Sequence, residues 1–259
     1  MKFASLGSGS AGNALLVSAT SGATTTTVML DCGFGIRQAE QRLSRLGLSP
    51  SDLSAILVTH EHQDHIGGVF KLARRYKIPV WMSAGTYQGA SSDRHDVVVN
   101  FCRDGDKLAI GDMQLTPFTV PHDAREPLQY YMSDGCFKLG VLTDTGLATP
   151  HMVQALGQCD ALMLECNHDS QMLADSSYPA VLKRRISSIY GHLSNQDASN
   201  FLAKLDQSRL KRVLGAHLSE SNNTPELAYA ALCGGVKVAQ AEVSIACQEI
   251  GSDWIDIAN

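Results

Sequence analysis

Thr59-His60-Glu61-His62-Gln63-Asp64-His65-Ile66-Gly67-Gly68 decides the reading of this chain. It follows Ala55-Ile56-Leu57-Val58, a run without a polar side chain, which reads as a buried strand. Three histidines and one aspartate then fall within six positions. Strand ends are rigid supports, and the loops beyond them present side chains to a cleft. His60 and His62, two apart in an extended loop, face the same way, and Asp64 and His65 come where the chain turns into a helix. Imidazole nitrogens and carboxylate oxygens suit Zn, Fe or Mn. Burying four such groups with no ion would leave several of them unsatisfied at a cost, so the segment is read as a metal site. It is not HExxH, because the position four after His60 is Asp64. Two ions need roughly six to seven protein ligands. Later strand ends offer the remainder: His122 (followed by Asp123) after Leu115–Val120, Asp144 after Leu139–Thr143, and His217 after Val213–Ala216.

The rest of the sequence sets the frame. Its 259 residues suit a full core, and one domain spanning residues 1–259 is expected. A hydrophobic content of 44% with 18% charged residues is globular rather than disordered. No run of about 18 apolar residues occurs, which argues against a membrane span. The start lacks the apolar core of a signal peptide, so a cytoplasmic protein is expected. Seven cysteines without a CxxC pair argue against a zinc ribbon or a disulfide framework, and most sit in apolar runs as small hydrophobes. A net charge of −5 argues against a uniformly basic nucleic-acid surface but leaves local basic runs, such as Lys183-Arg184-Arg185 and Arg209-Leu210-Lys211-Arg212. Such runs are commonly solvated helix faces.

Strands are expected at Ala14–Ser18, Thr26–Leu30, Ala55–Thr59, Pro79–Met82, Met113–Val120, Leu139–Leu142, Ala161–Glu165, Val213–Ala216 and Val243–Ile250. Helices are expected at Ile36–Leu46 and His65–Tyr76. Two more follow: Gln196–Leu205 behind a Ser194/Asp197 capping box, and Glu226–Leu232 behind Thr224-Pro225. Strands come first as hairpins and then alternate with helices, so a layered mixed domain is expected rather than a doubly wound sheet.

With the motif extended by Leu30-Asp31-Cys32-Gly33, His122, Asp144 and His217, the chain resembles the metallo-β-lactamase superfamily over nearly its whole length. The resemblance implies an α+β fold, a four-layer αββα sandwich of two similar halves with the site at one edge. It implies a first ion on His60, His62 and His122, and a second on Asp64, His65 and His217, with Asp144 bridging both. Asp31 would stand behind the ligands. Ser5-Leu6-Gly7-Ser8-Gly9-Ser10-Ala11-Gly12-Asn13, Leu164-Glu165-Cys166-Asn167-His168-Asp169, Gly191-His192-Leu193-Ser194-Asn195 and His217-Leu218-Ser219-Glu220 are similar to the bacterial YycJ/WalJ branch, which is related to ribonuclease Z and to PhnP-type phosphodiesterases. That branch implies 5′-to-3′ exonuclease action on DNA.

The expected function is a dinuclear Zn- or Mn-dependent phosphodiesterase using a metal-bridging hydroxide, with nucleic acid, DNA foremost, as substrate. Two ions lower the pKa of a shared water and offset charge on the attacking and leaving oxygens. Asp64 is the candidate for orienting or deprotonating the nucleophile. His192 resembles the histidine that acts on the leaving group in ribonuclease Z relatives; a core or cap histidine beside a helix start is the other reading. Ser8, Ser10 and Asn13 could donate to a phosphate, or simply form a turn. Asn167 and His168 are candidates for supporting the ligands or touching substrate, and His95 and His151 read as surface residues. The competing function is an acyl hydrolase of thioesters, lactones or lactams on the same site, and a metal-binding scaffold without turnover is a third. The sequence is silent on oligomeric state.

Overall fold

The computed structural model describes residues 1–90 and 94–258. Its strands form two seven-stranded sheets. The first runs, in spatial order, β14 (Ile255–Asp256), β1 (Lys2–Gly7), β2 (Ala14–Ser21), β3 (Thr24–Leu30), β4 (Ala55–Leu57), β5 (Val80–Met82) and β6 (Val99–Phe101). The second runs β13 (Glu242–Ile245), β12 (Arg212–Ala216), β11 (Ala161–Glu165), β10 (Lys138–Leu142), β9 (Leu128–Ser133), β8 (Met113–Thr119) and β7 (Leu108–Ile110). Each sheet changes character halfway. Pairing is antiparallel through β3 in the first and through β10 in the second, and parallel from there outward to β6 and β13.

Side-chain alternation builds the layers. On β2, Leu15, Val17 and Ala19 enter the core between the sheets, where Leu57, Leu115, Tyr130, Met132 and Met163 meet them. Ala14 and Leu16 point outward, with Met29 and Ile56, under helices α1 (Ile36–Arg45) and α3 (Val69–Tyr76). On the far side, α5 (Pro150–Leu156), α8 (Asn195–Lys204) and α9 (Pro225–Gly235) cover the second sheet through Leu156, Phe201 and Leu232. The result is the expected αββα sandwich, with three apolar layers between four layers of backbone. The short helices α2 (Gln63–Ile66), α4 (Ala84–Gly89), α6 (Ser170–Asp175) and α7 (Ala180–Ile186) lie in the connections. Among the described residues no helix is long and apolar enough to cross a membrane.

Two expected elements differ. The helix expected over His65–Tyr76 is split into α2 and α3, because Gly67-Gly68 lie where two backbones cross. The Gly68 N–H donates to Cys32 O at 2.8 Å, and a Cβ at Gly68 would stand 1.8 Å from Phe34 O. The strand expected to Ile250 ends at Ile245, and Cys247 and Gly251 close a tight turn by exchanging both backbone hydrogen bonds. The capping residues act as read: Ser194 Oγ accepts from Asp197 N at 3.1 Å and Thr224 Oγ1 from Leu227 N at 3.3 Å.

Candidate metal centre

The candidate residues stand at the carboxyl ends of strands from both sheets, where layered α/β folds place their ligands. Asp31 follows β3, His60 to His65 follow β4, His122 follows β8, Asp144 follows β10 and His217 follows β12. Asp31, Asp144 and His217 adopt left-handed backbone, with φ of 60°, 51° and 57°. Non-glycine residues take this conformation at a cost, and it turns the side chain off the strand direction at once. The first-sheet loops are tied together beneath the motif. Asn13 N donates to Asp64 O at 2.7 Å, Gly33 N to Asn13 O at 3.0 Å and Cys32 N to His65 O at 2.7 Å.

Every candidate metal donor named from the sequence converges here, in overlapping groups. His60, His62 and His122 form one; Asp64, His65 and His217 form another; Asp144 joins His60 and His65 from between. Donors on one tetrahedral ion, with bonds of about 2.0–2.1 Å, lie about 3.3–3.4 Å apart. The separations here are 3.3 Å for His62 Nδ1 to His122 Nε2, 3.4 Å for His65 Nε2 to Asp64 Oδ2, 3.2 Å for His65 Nε2 to Asp144 Oδ2 and 3.4 Å for His217 Nε2 to Asp144 Oδ1. His60 Nε2, Asp144 Oδ2 and His217 Nε2 are buried and have no hydrogen-bond partner. Burial without a partner is costly for such atoms, and all belong to these groups, so the residues fit divalent ions.

The outer contacts fix the tautomers. A carboxylate can only accept, so His65 Nδ1 donates to Asp31 Oδ2 at 2.8 Å and leaves Nε2 open towards the centre. Asp31 also accepts from Thr59 N and Thr59 Oγ1, both at 2.8 Å. With its proton so used, Thr59 Oγ1 accepts from His60 Nδ1 at 3.0 Å. His122 Nδ1 donates to Gly191 O at 3.3 Å. Charge follows geometry. Burial, reinforced by the neighbouring histidines, holds His60 well below its ordinary pKa, and burial lowers His122. For His65 burial also pulls down, but Asp144 and Asp31 outweigh it and raise it. For Asp64 burial pushes up, yet His217 and His65 hold the carboxyl far below its usual range. The Asp64 carboxylate is thus held in its charged form by the two imidazoles.

Glu165 is the residue the sequence reading did not single out. It is fully buried at the end of β11. Its Oε1 accepts from His192 Nδ1 at 2.8 Å and from His217 Nδ1 at 3.1 Å, and its Oε2 from Leu193 N at 3.1 Å and Thr145 N at 3.2 Å. Burial opposes its charge, but His192 outweighs it and the carboxyl stays well below its usual range. The available signals were a carboxylate closing an apolar strand and its place in the stretch Leu164–Asp169 that resembles the YycJ/WalJ branch. Glu165 in turn raises His192 against the pull of burial. His192 is partly exposed and lines a cleft, its ring centroid 5.5 Å from that of His122 and 5.3 Å from that of His217.

The remaining candidates divide. Asn13 Nδ2 lies 3.2 Å from Asp64 Oδ2 and 3.1 Å from His65 Nε2. Ser8 does not face the cleft as a phosphate donor: it is buried, and its Oγ accepts from His217 N at 2.8 Å, holding that backbone in place. Ser10 and Asn167 line the cleft, and Asn167 Nδ2 also donates to His217 O at 3.1 Å. His168 is buried beside Asn167 and is not among the cleft residues. His95 and His151 are exposed, as read. Cys32, Cys102, Cys159 and Cys166 are buried and unpaired.

Comparison with known proteins places this geometry in context. Residues 26–217 match the family model described as a Beta-lactamase superfamily domain. The exodeoxyribonuclease YycJ of Bacillus anthracis is 36% identical over 235 residues, covering 88% of this chain and 86% of that protein. The exodeoxyribonuclease WalJ of Streptococcus pneumoniae is 32% identical over 249 residues, covering 94% and 90%. Among solved structures, the metallo-β-lactamase fold protein YhfI of Bacillus subtilis superposes with a TM-score of 0.73 at 18% identity, over 98% of this chain and 99% of that one. A PhnP-family diphosphatase and human tRNase Z, short form, share the fold at TM-scores of 0.68 and 0.65.

Proposed function

This chain belongs to the metallo-β-lactamase superfamily, and from that premise we propose that it is a dinuclear metal-dependent nuclease, a 5′-to-3′ DNA exonuclease acting in the cytoplasm. That it is a metal-dependent hydrolase follows from the family and from relatives named as exodeoxyribonucleases. What supports the dinuclear reading is the presence of two donor groups, His60, His62 and His122 in one and Asp64, His65 and His217 in the other, with Asp144 3.2 Å from His65 Nε2 and 3.4 Å from His217 Nε2. In this reading His60, His62 and His122 hold one ion, Asp64, His65 and His217 hold the other, and Asp144 lies between. Held by these residues, two Zn or Mn ions would lower the pKa of a water towards neutral and offset charge on the phosphate oxygens.

The chain's own groups do the rest. Asn13 Nδ2 lies 3.2 Å from Asp64 Oδ2 and holds that carboxylate, which would orient the attacking water. Asp31 and Glu165 keep the imidazoles of His65 and His217 in the tautomer that faces inward. His192 is tied at Nδ1 by Glu165, whose charge favours the imidazolium, and its other edge meets the cleft. In this reading it gives a proton to the departing alkoxide, a contribution typically of about 100- to 10,000-fold.

The test uses end-labelled single- and double-stranded DNA and RNA, beside a lactam and a thioester. Chelation should abolish degradation of DNA, and added Zn or Mn should restore it. Efficient lactam or thioester turnover with no nuclease activity under either metal would replace this reading with the acyl-hydrolase one.

A further inference from the structure

The cleft that His192 lines has a volume of about 220 Å³, and the proposed reaction uses none of its other side chains. Besides His192, its polar lining comes from Ser10, Asp123, Asn167, Tyr178, Arg185 and Ser219, and Leu182 and Ile186 of α7 form an apolar wall. The volume is below the roughly 300–1,000 Å³ of pockets for drug-sized ligands, so it suits one nucleotide unit rather than a duplex end.

Arg185, exposed on α7, is held at this cleft by an ion pair. Its Nε donates to Asp123 Oδ2 at 2.7 Å. Asp123 Oδ1 lies 3.4 Å from His122 Nε2, and Asp123 N donates to Tyr190 O at 3.1 Å. The aspartate is thus fixed at both backbone and side chain, between a candidate metal donor and the guanidinium. Only Nε of Arg185 is engaged in that pair, which leaves the forked Nη donors for a planar or tetrahedral anion. The Asp123 carboxylate thus lies between the guanidinium and the His122 donor, at 2.7 Å from the first and 3.4 Å from the second.

We propose that this cleft holds the terminal nucleotide of the substrate, with Arg185, positioned by Asp123, binding the phosphate that the chain end carries. The inference rests on the nuclease reading and gives it a structural reason for acting at ends: a strand continuing past the cleft has no phosphate free to enter it. Ser10 and Ser219 hydroxyls add donors, and the Leu182–Ile186 wall receives the sugar or base.

The experiment compares one short single-stranded DNA in three forms: 5′-phosphorylated, 3′-phosphorylated, and hydroxyl at both ends. The wild-type protein, loaded with Zn or Mn, should cleave the 5′-phosphorylated form with kcat/KM about tenfold or more above the hydroxyl form, mostly through KM; a preference for the 3′-phosphorylated form would keep the cleft's role and overturn the 5′-to-3′ polarity. A hydrogen-bonded ion contact is worth a factor of about 10 to 100. Arg185→Ala should bring the ratio close to one, and Arg185→Lys, which keeps charge but loses the fork, should fall between. Metal content, measured in parallel, should match wild type in both variants. A wild-type enzyme indifferent to end phosphates, or an Arg185→Ala variant that keeps the preference, overturns the inference while leaving the nuclease reading standing. Absence of any nucleic-acid hydrolysis overturns both.

Discussion

Glu165→Gln replaces one atom and tests the logic of the centre. The carboxylate accepts four hydrogen bonds, two from histidine Nδ1 atoms and two from the backbone N–H groups of Thr145 and Leu193. An amide offers one accepting oxygen and one donating nitrogen, so one side must fail. If NH2 faces the histidines, Nδ1 of His217 can only accept, its proton moves to Nε2, and that nitrogen no longer binds an ion. Loss of such an outer partner typically lowers metal affinity about 10- to 100-fold. If NH2 faces the backbone, two buried N–H groups are unsatisfied, at about 1–3 kcal/mol each, or about 2–6 kcal/mol together. In a chain of this size 1 kcal/mol moves Tm by about 2–4 °C, so the metal-free variant would melt at least about 4 °C lower. Calorimetric melting of the metal-free protein and a competitive chelator titration of each ion separate the two cases. A variant whose Tm and both ion affinities match wild type would refute the claim that Glu165 organises His192 and His217.

His192→Ala should lower turnover of a phosphodiester with a poor leaving group by about 100- to 10,000-fold, with metal content close to wild type and a much smaller loss on a nitrophenyl ester. Loss of metal as severe as in His62→Ala would mean that His192 is a ligand or a structural residue. Gly33→Ala would put a Cβ 1.9 Å from Asp64 O and 2.9 Å from Gly12 Cα, both backbone neighbours that cannot swing aside. The expected cost is about 1–3 kcal/mol or more, with bound metal falling as Asp64 is displaced; elemental analysis showing an unchanged ion count with an unchanged Tm would contradict that account.

The sequence exposes what repeats a local rule. The strand before His60 is apolar, the donors crowd its end, and His122, Asp144 and His217 repeat the arrangement, so the donor set was legible. Glu165 was not, because a lone carboxylate after Leu162-Met163-Leu164 has the same local pattern whether it caps a turn or sits among histidines. Strand β9 was also missed: Gln129 reads as solvated, yet it is buried because its amide donates to Thr143 O at 2.8 Å, a contact set by tertiary structure. Gly67-Gly68 read as part of the motif but not as a helix break, since the backbone of Cys32 and Phe34 that demands them lies more than thirty positions earlier. Ser8 looked like a phosphate donor for the same reason: its partner, His217 N, stands at the other end of the chain.

The donors come from both sheets, and this bears on the order in which the molecule can be assembled. His60 to His65 belong to the first sheet's loops, and His122, Asp144 and His217 to the second. Tyr130 Oη donates to Val58 O at 3.2 Å, and Leu128 N to Thr59 O at 2.9 Å, so the strand leading into the motif is itself braced from the opposite sheet. During synthesis the motif emerges while its partners are still unmade. An ion captured then meets only the donors of one half. Full loading waits until the two sheets dock, so ion uptake during refolding should keep time with docking rather than with formation of the first sheet. A packing defect at Tyr130, deep between the sheets, would be felt at the centre as a change in how tightly metal is held.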